Sequence, residues 1–168
     1  VQNTASLLMR MELAGFEVGE RWSGLVPLAE SRLEDHTSPF TSIHALIILA
    51  KSGMLEKART MIGNMLAFTD LDQGPIGNTY RQVVVPAAEA VLAFVEDQPK
   101  HVLERLMPIR FLLYRMGGSH AQRDLFWQMM TRTALQLEDR TLLGQLHSEI
   151  RYFGFSMMEH RRAYAGVF

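Results

Sequence analysis

The sequence predicts an all-α fold, built from antiparallel helix pairs stacked into an α-α superhelix. Three observations lead there. Apolar residues recur at helical spacing almost throughout the 168 residues. No alternating apolar–polar run bounded by a tight turn marks a strand or a hairpin. Glycines and prolines cut the periodic stretches into helix-length segments with short connections, the pattern of antiparallel neighbours.

The elements follow in order. A first helix is predicted over Thr4 to Ala14, with Leu7, Leu8, Met11 and Leu13 on its apolar side and Gly15 as its stop. A second is predicted over Val18 to Leu33, with Trp22, Leu25, Val26 and Leu28 inward and a kink at Pro27, which lacks a backbone donor. Pro39 to Ser52 is strongly apolar; Gly53 breaks it and Met54 to Phe68 resumes. Asp72 to Asn78 holds two glycines and a proline and reads as a loop. A long helix from Thr79 to Glu96 should kink at Pro86. Pro99 suits a first helical turn, and that helix reaches Met116 with an interruption at Pro108. Ser119 to Glu138 and Arg140 to Phe153 complete the main pairs; Gly154 precedes an amphipathic piece from Ser156 to Ala165.

The Ser119 start is the most explicit local signal. Gly117 and Gly118 can end one helix, Ser119 can cap the next, and Gln122 completes a capping box. A weaker signal is an internal recurrence. Gly53 makes a turn and Ala58 supplies a small residue five positions on, where two helices cross closely. Glu96-Asp97-Gln98-Pro99 takes the same place between two helices forty-four residues after Ser52-Gly53-Met54-Leu55. A recurring helix pair suggests a solenoid.

The Gly53 and Ala58 positions resemble the tetratricopeptide repeat, with Leu46 where its small residue is expected and with a longer spacing. Longer stretches are more specific. Leu8-Met9-Arg10-Met11-Glu12, Gly15-Phe16-Glu17-Val18-Gly19-Glu20-Arg21-Trp22, Phe40-Thr41-Ser42-Ile43-His44-Ala45, Leu106-Met107-Pro108-Ile109-Arg110 and Gly117-Gly118-Ser119-His120-Ala121-Gln122-Arg123-Asp124-Leu125-Phe126 occur in this order. Together they resemble the carboxy-terminal region of the tetratricopeptide repeat protein 38 family across nearly the whole chain. Thr41-Ser42 stands where that family has Asn-Asp, so no role of that pair carries over. The resemblance implies an all-helical repeat fold, an absent amino-terminal array, protein–protein interaction and no catalytic activity. The start at Val1 rather than Met agrees with a single domain, residues 1–168, cut from a longer repeat protein.

Composition sets limits. Hydrophobic content of 48% and charged content of 21% fit a folded globular chain rather than a disordered one. A net charge of -1 gives no case for nucleic acid or an anionic membrane. The charge is uneven: residues 1–99 carry 7 basic and 12 acidic groups, residues 100–168 carry 10 and 6. Attraction between neighbouring helices or a head-to-tail contact between chains would both exploit that. No cysteine is present, which removes disulfides and thiolate chemistry and is compatible with the expected cytoplasmic location. The longest apolar run, Ala45 to Ala50, is far too short to span a bilayer.

The site candidates are few. His120, Arg123, Asp124 and Trp127 follow the Ser119 cap on neighbouring helix faces. A helix amino terminus favours anions, and His120 and Arg123 add to that, so a carboxylate or phosphate could be held there. The alternative is an Arg–Asp network that ties the junction to adjacent helices. Arg21 and Trp22 form either a cation–π platform or a core Trp with an arginine at its edge. His36 and His44 lack helix-spaced metal partners, so His44 reads as a buried, hydrogen-bonded histidine, and no metal is expected. No Ser or Cys nucleophile accompanies His120 and Asp124, and no P-loop, dinucleotide fingerprint or other cofactor motif occurs. Met54, Met61 and Met65, with the pairs Met129-Met130 and Met157-Met158, read as core filler or as an adaptable binding surface.

The sequence therefore predicts a non-catalytic scaffold for protein–protein interaction, with no cofactor, no nucleic acid and no membrane among its partners. Its exposed amino-terminal face would favour a homodimer. The competing expectation is a small-ligand, anion-binding or enzymatic site at the His120–Trp127 helix start.

Overall fold

Residues 1–152 are described by a computed structural model, and all of their regular structure is helical. The fold class is all-α. The piece expected over Ser156–Ala165 and the pair Met157-Met158 lie outside the described residues.

Helix α1 spans Gln2–Leu13. Its buried stripe is Ala5, Leu8, Met9 and Leu13, whereas Leu7 is half exposed, one residue of rotation away from Leu8. The single kinked helix predicted over Val18–Leu33 does not form. Gly19–Leu25 winds as a 3-10 helix and a short α2 follows over Val26–Glu30. Pro27 lies in the first turn of α2, where its missing N–H costs nothing, so it starts a helix instead of kinking one. This tighter winding turns Leu28 outward while Trp22 stays in the core.

Helix α3, Pro39–Lys51, is the centre of the molecule: every residue from Ser42 to Ala50 is buried. Ser38 caps it by accepting the Thr41 N–H. Helix α4 is Leu55–Leu71. The loop expected over Asp72–Asn78 is shorter than that, because Pro75–Thr79 is helical and forms α5. Asp72 explains this: its carboxylate accepts the N–H of Gly74 at 2.7 Å and of Gly77 at 3.0 Å, which caps the new helix. Gly77 is required there, since a Cβ would lie 1.8 Å from the Asp72 carbonyl oxygen. The chain then passes through a π-helical turn, Tyr80–Val84, into α6, Val85–Val95. Pro86 cannot donate to the carbonyl four residues back, and the wider π turn upstream takes up the kink expected at that proline.

Helix α7 is Pro99–Leu106. The helix expected to reach Met116 ends there, and two 3-10 turns, Met107–Ile109 and Leu113–Met116, carry the chain past Pro108. Helix α8, His120–Gln136, and helix α9, Arg140–Tyr152, follow as predicted.

The turns repeat more regularly than the sequence does. After α1, α3, α6 and α8 the chain adopts a left-handed residue: Gly15, Gly53, Asp97 and Glu138. In each case the next N–H reaches back five residues: Phe16 to Met11, Met54 to Leu49, Gln98 to Ala93, and Asp139 to Ala134, at 2.9 to 3.0 Å. This is the Schellman closure of a helix carboxy terminus. It makes α3–α4, α6–α7 and α8–α9 hairpins with connections of one design.

Packing runs α1 on α3, α3 on α6, α6 on α7 and α7 on α8, with α4 covering α3 and α6, and α9 covering α8. Helix α1 also packs on α8, and Gln122 donates to Asn3 Oδ1 at 2.7 Å, so the last pair meets the first helix. Met61, Met65, Met129 and Met130 fill this core, while Met54 is exposed. Arg105 and Glu89, 3.1 Å apart, pair the basic and acidic halves of the sequence. Among the described residues no helix is long and apolar enough to cross a membrane.

Candidate functional site: a basic aromatic cleft at the start of α8

The site begins with the two glycines. Gly117 and Gly118 both have positive φ, at 88° and 76°, conformations that L side chains rarely adopt. Gly118 is constrained further, because a Cβ on it would lie 2.3 Å from the Phe40 ring of α3. The Ser119 N–H donates to Gln122 Oε1 at 2.8 Å, which forms the expected capping interaction. Gln122 also holds Asn3 of α1, so the first turn of α8 is fixed from two sides.

His120, Arg123 and Trp127 fall on one face of α8, at the i, i+3, i+7 spacing the sequence predicts, and line a single cleft of about 310 Å³. Asp124 does not join them. It is 1% exposed, and Gln128 donates to its Oδ2 at 2.7 Å within the helix. Arg123 folds back over the turn, donating through Nη1 to the carbonyls of Gly117 and Gly118. It thereby satisfies carbonyls at the end of the preceding segment.

The remaining walls come from residues that sequence reasoning did not single out as a site. Arg110, Phe111, Leu113 and Tyr114 line the same cleft. Trp127 is its floor, with the Phe111 ring 6.0 Å away and tilted by 51°. Phe111 is 43% exposed and Tyr114 is 63% exposed, so two aromatic side chains face solvent three residues apart. Arg110 stacks on Phe111 with its guanidinium carbon 4.1 Å from the ring centroid. Glu149 of α9 holds Arg110 in a two-point pair at 2.8 and 2.9 Å. That hydrogen bonding holds the Glu149 carboxyl below the usual carboxylate range, against the opposing effect of its partial burial.

The other candidates lie elsewhere. Trp22 is 4% exposed and donates its indole N–H to Glu12 at 2.9 Å, while Glu12 also pairs with Lys51 at 2.6 Å. Arg21 donates to the Val18 carbonyl at 2.7 Å. Trp22 therefore belongs to a hydrogen-bonded link between its 3-10 helix, α1 and α3, the buried one of the two arrangements the sequence leaves open. His44 is buried, with Nδ1 donating to the Phe40 carbonyl at 2.7 Å and its ring 4.3 Å from the Phe40 ring. Burial pushes its pKa down to about 4. No group of three or more His, Asp or Glu is placed to hold a metal ion among the described residues.

A second concavity of about 280 Å³ lies between α4, α6 and α7. Its charges are spent on one another: Arg59 pairs with Glu56 and Glu96, and Arg105 with Glu89. No family model matches the chain, and no solved structure matches it.

Proposed function

We propose that this chain is a non-catalytic, tetratricopeptide-like repeat module that binds other proteins, as its resemblance to the tetratricopeptide repeat protein 38 family implies. The observation that carries the reading is the cleft at the start of α8. Two exposed aromatic side chains, Phe111 and Tyr114, stand over a buried tryptophan on a rigid turn. Exposed rigid aromatics next to arginine are the composition of protein-binding hot spots. The recurring left-handed turn at Gly15, Gly53, Asp97 and Glu138 supports the repeat part of the reading.

The test is selection of peptides from a random display library on the immobilised chain, repeated on Tyr114→Ala. That variant should keep its urea midpoint, because an exposed side chain contributes within about 0.5 kcal/mol. A sequence consensus enriched on the wild type and lost on Tyr114→Ala supports the reading. No enrichment, or the same consensus on both, rejects this cleft as the binding surface.

A further inference from the structure

We propose that the α8 cleft recognises an acidic peptide segment carrying one aromatic residue, an inference that rests on the protein-binding role proposed above. Size gives the first part. A volume of about 310 Å³ is at the lower end of ligand pockets, which run from about 300 to 1,000 Å³. It accommodates one large side chain rather than an extended ligand. The floor and walls are Trp127, Phe111 and Tyr114, with the Phe111 and Trp127 rings already tilted to one another. Aromatic rings favour a further ring in an offset or edge-on geometry.

Charge gives the second part. The described residues lining the cleft include Arg110, Arg123 and His120, and none of those described is acidic. Arg110 is neutralised by Glu149 from behind. Arg123 makes no ion pair among the described residues, and both of its bonds run from Nη1 to neutral carbonyls. The guanidinium therefore keeps its full charge while its direction is fixed. It stands on the first turn of a 17-residue helix, where the backbone adds further positive potential. A cation held rigid before binding loses little freedom when a carboxylate arrives. One arginine without an ion pair among the described residues is too little for a nucleic-acid strand, whose binding draws on many phosphate contacts. It suits a carboxylate next to the inserted ring.

Three short peptides with one central Phe test this, flanked by Asp and Glu, by Asn and Gln, or by Lys. Each is titrated into the full chain labelled with ¹⁵N, at about 0.05 and 0.5 M salt, conditions that change the screening length several-fold. The chain contains 2 tryptophans, so the Trp127 indole N–H reports the cleft and the Trp22 indole N–H is an internal control. The acidic peptide should shift Trp127, leave Trp22 in place, and bind about tenfold more tightly than the neutral one, as expected for one charge-assisted hydrogen bond. The preference should shrink at high salt and in Arg123→Gln. Equal affinity for acidic and neutral peptides overturns the inference, as does a preference that persists both in Arg123→Gln and at high salt. A shift at Trp22 instead of Trp127, or no shift with any peptide, overturns it too. Enrichment of a neutral consensus in the display selection would sink the acidic specificity alone and leave the protein-binding reading standing.

Discussion

Two places in the molecule put an arginine and a tryptophan at a helix start, and their surroundings separate them. At Arg21 and Trp22 the side-chain bonds run to neighbouring groups of the fold. The indole N–H meets Glu12, Glu12 meets Lys51, and Arg21 meets the Val18 carbonyl. At Arg123 and Trp127 the tryptophan is as deeply buried, but its neighbours on the open side are Phe111 and Tyr114, both exposed. The same residue pair thus closes one junction and floors a cleft at the other. Burial of the tryptophan does not tell them apart; the chemistry of the side chains around it does.

The comparison can be broken most forcefully at Trp22. Replacement by Ala should lower stability by about 3–5 kcal/mol, the range for removing a buried aromatic, and the urea midpoint measures it. A loss under about 1 kcal/mol would mean that Trp22 clamps nothing.

A second test sharpens the account of the α8 junction, because His44 supports the Phe40 ring that Gly118 packs against. Its folded pKa of about 4 lies below the ordinary value of 6.5, so the folded state holds the neutral ring. The unfolded chain therefore takes up this proton first as pH falls. Stability from the neutral ring is fully present above about pH 6.5 and is lost progressively down to about pH 4, by on the order of 3 kcal/mol. Chemical denaturation across that interval should give a steeper loss for the wild type than for His44→Gln. Parallel curves would exclude His44 as the cause.

The smallest effect comes from the glycines. Gly15→Ala meets open space and costs only its left-handed backbone, about 1 kcal/mol, whereas Gly118→Ala must also displace the Phe40 ring, for about 2–3 kcal/mol in all. Equal shifts of the thermal midpoint for the two variants would show that Phe40 yields freely.

What was legible in the sequence divides along the same physical lines. Helices with an unbroken 3.6-residue period were readable, and so was the His120, Arg123, Trp127 stripe, because spacing alone fixes a face. Gly15 and Gly53 announced their turns. The Asp97 turn was readable without glycine, because Glu96-Asp97-Gln98-Pro99 repeats the place of Ser52-Gly53-Met54-Leu55, whereas Glu138 holds the same left-handed position with neither signal, so the fourth copy was hidden. Helix α5 was hidden by its glycines and proline, since the Asp72 cap that stabilises it depends on geometry rather than composition. Phe111 and Tyr114 escaped notice because they lie beyond Pro108, Phe111 in the connection between the two 3-10 helices and Tyr114 in the second of them, where the α-helical period no longer assigns faces.

The bond from Gln122 to Asn3 joins residues separated by 119 positions. Every hairpin turn in the chain can close locally, but this contact needs the intervening chain to be in place. For a flexible chain of that length, closure costs about 4 kcal/mol of entropy. The seating of α1 on α8 is therefore among the last events of folding, and the first turn of α8 gains its second support only then.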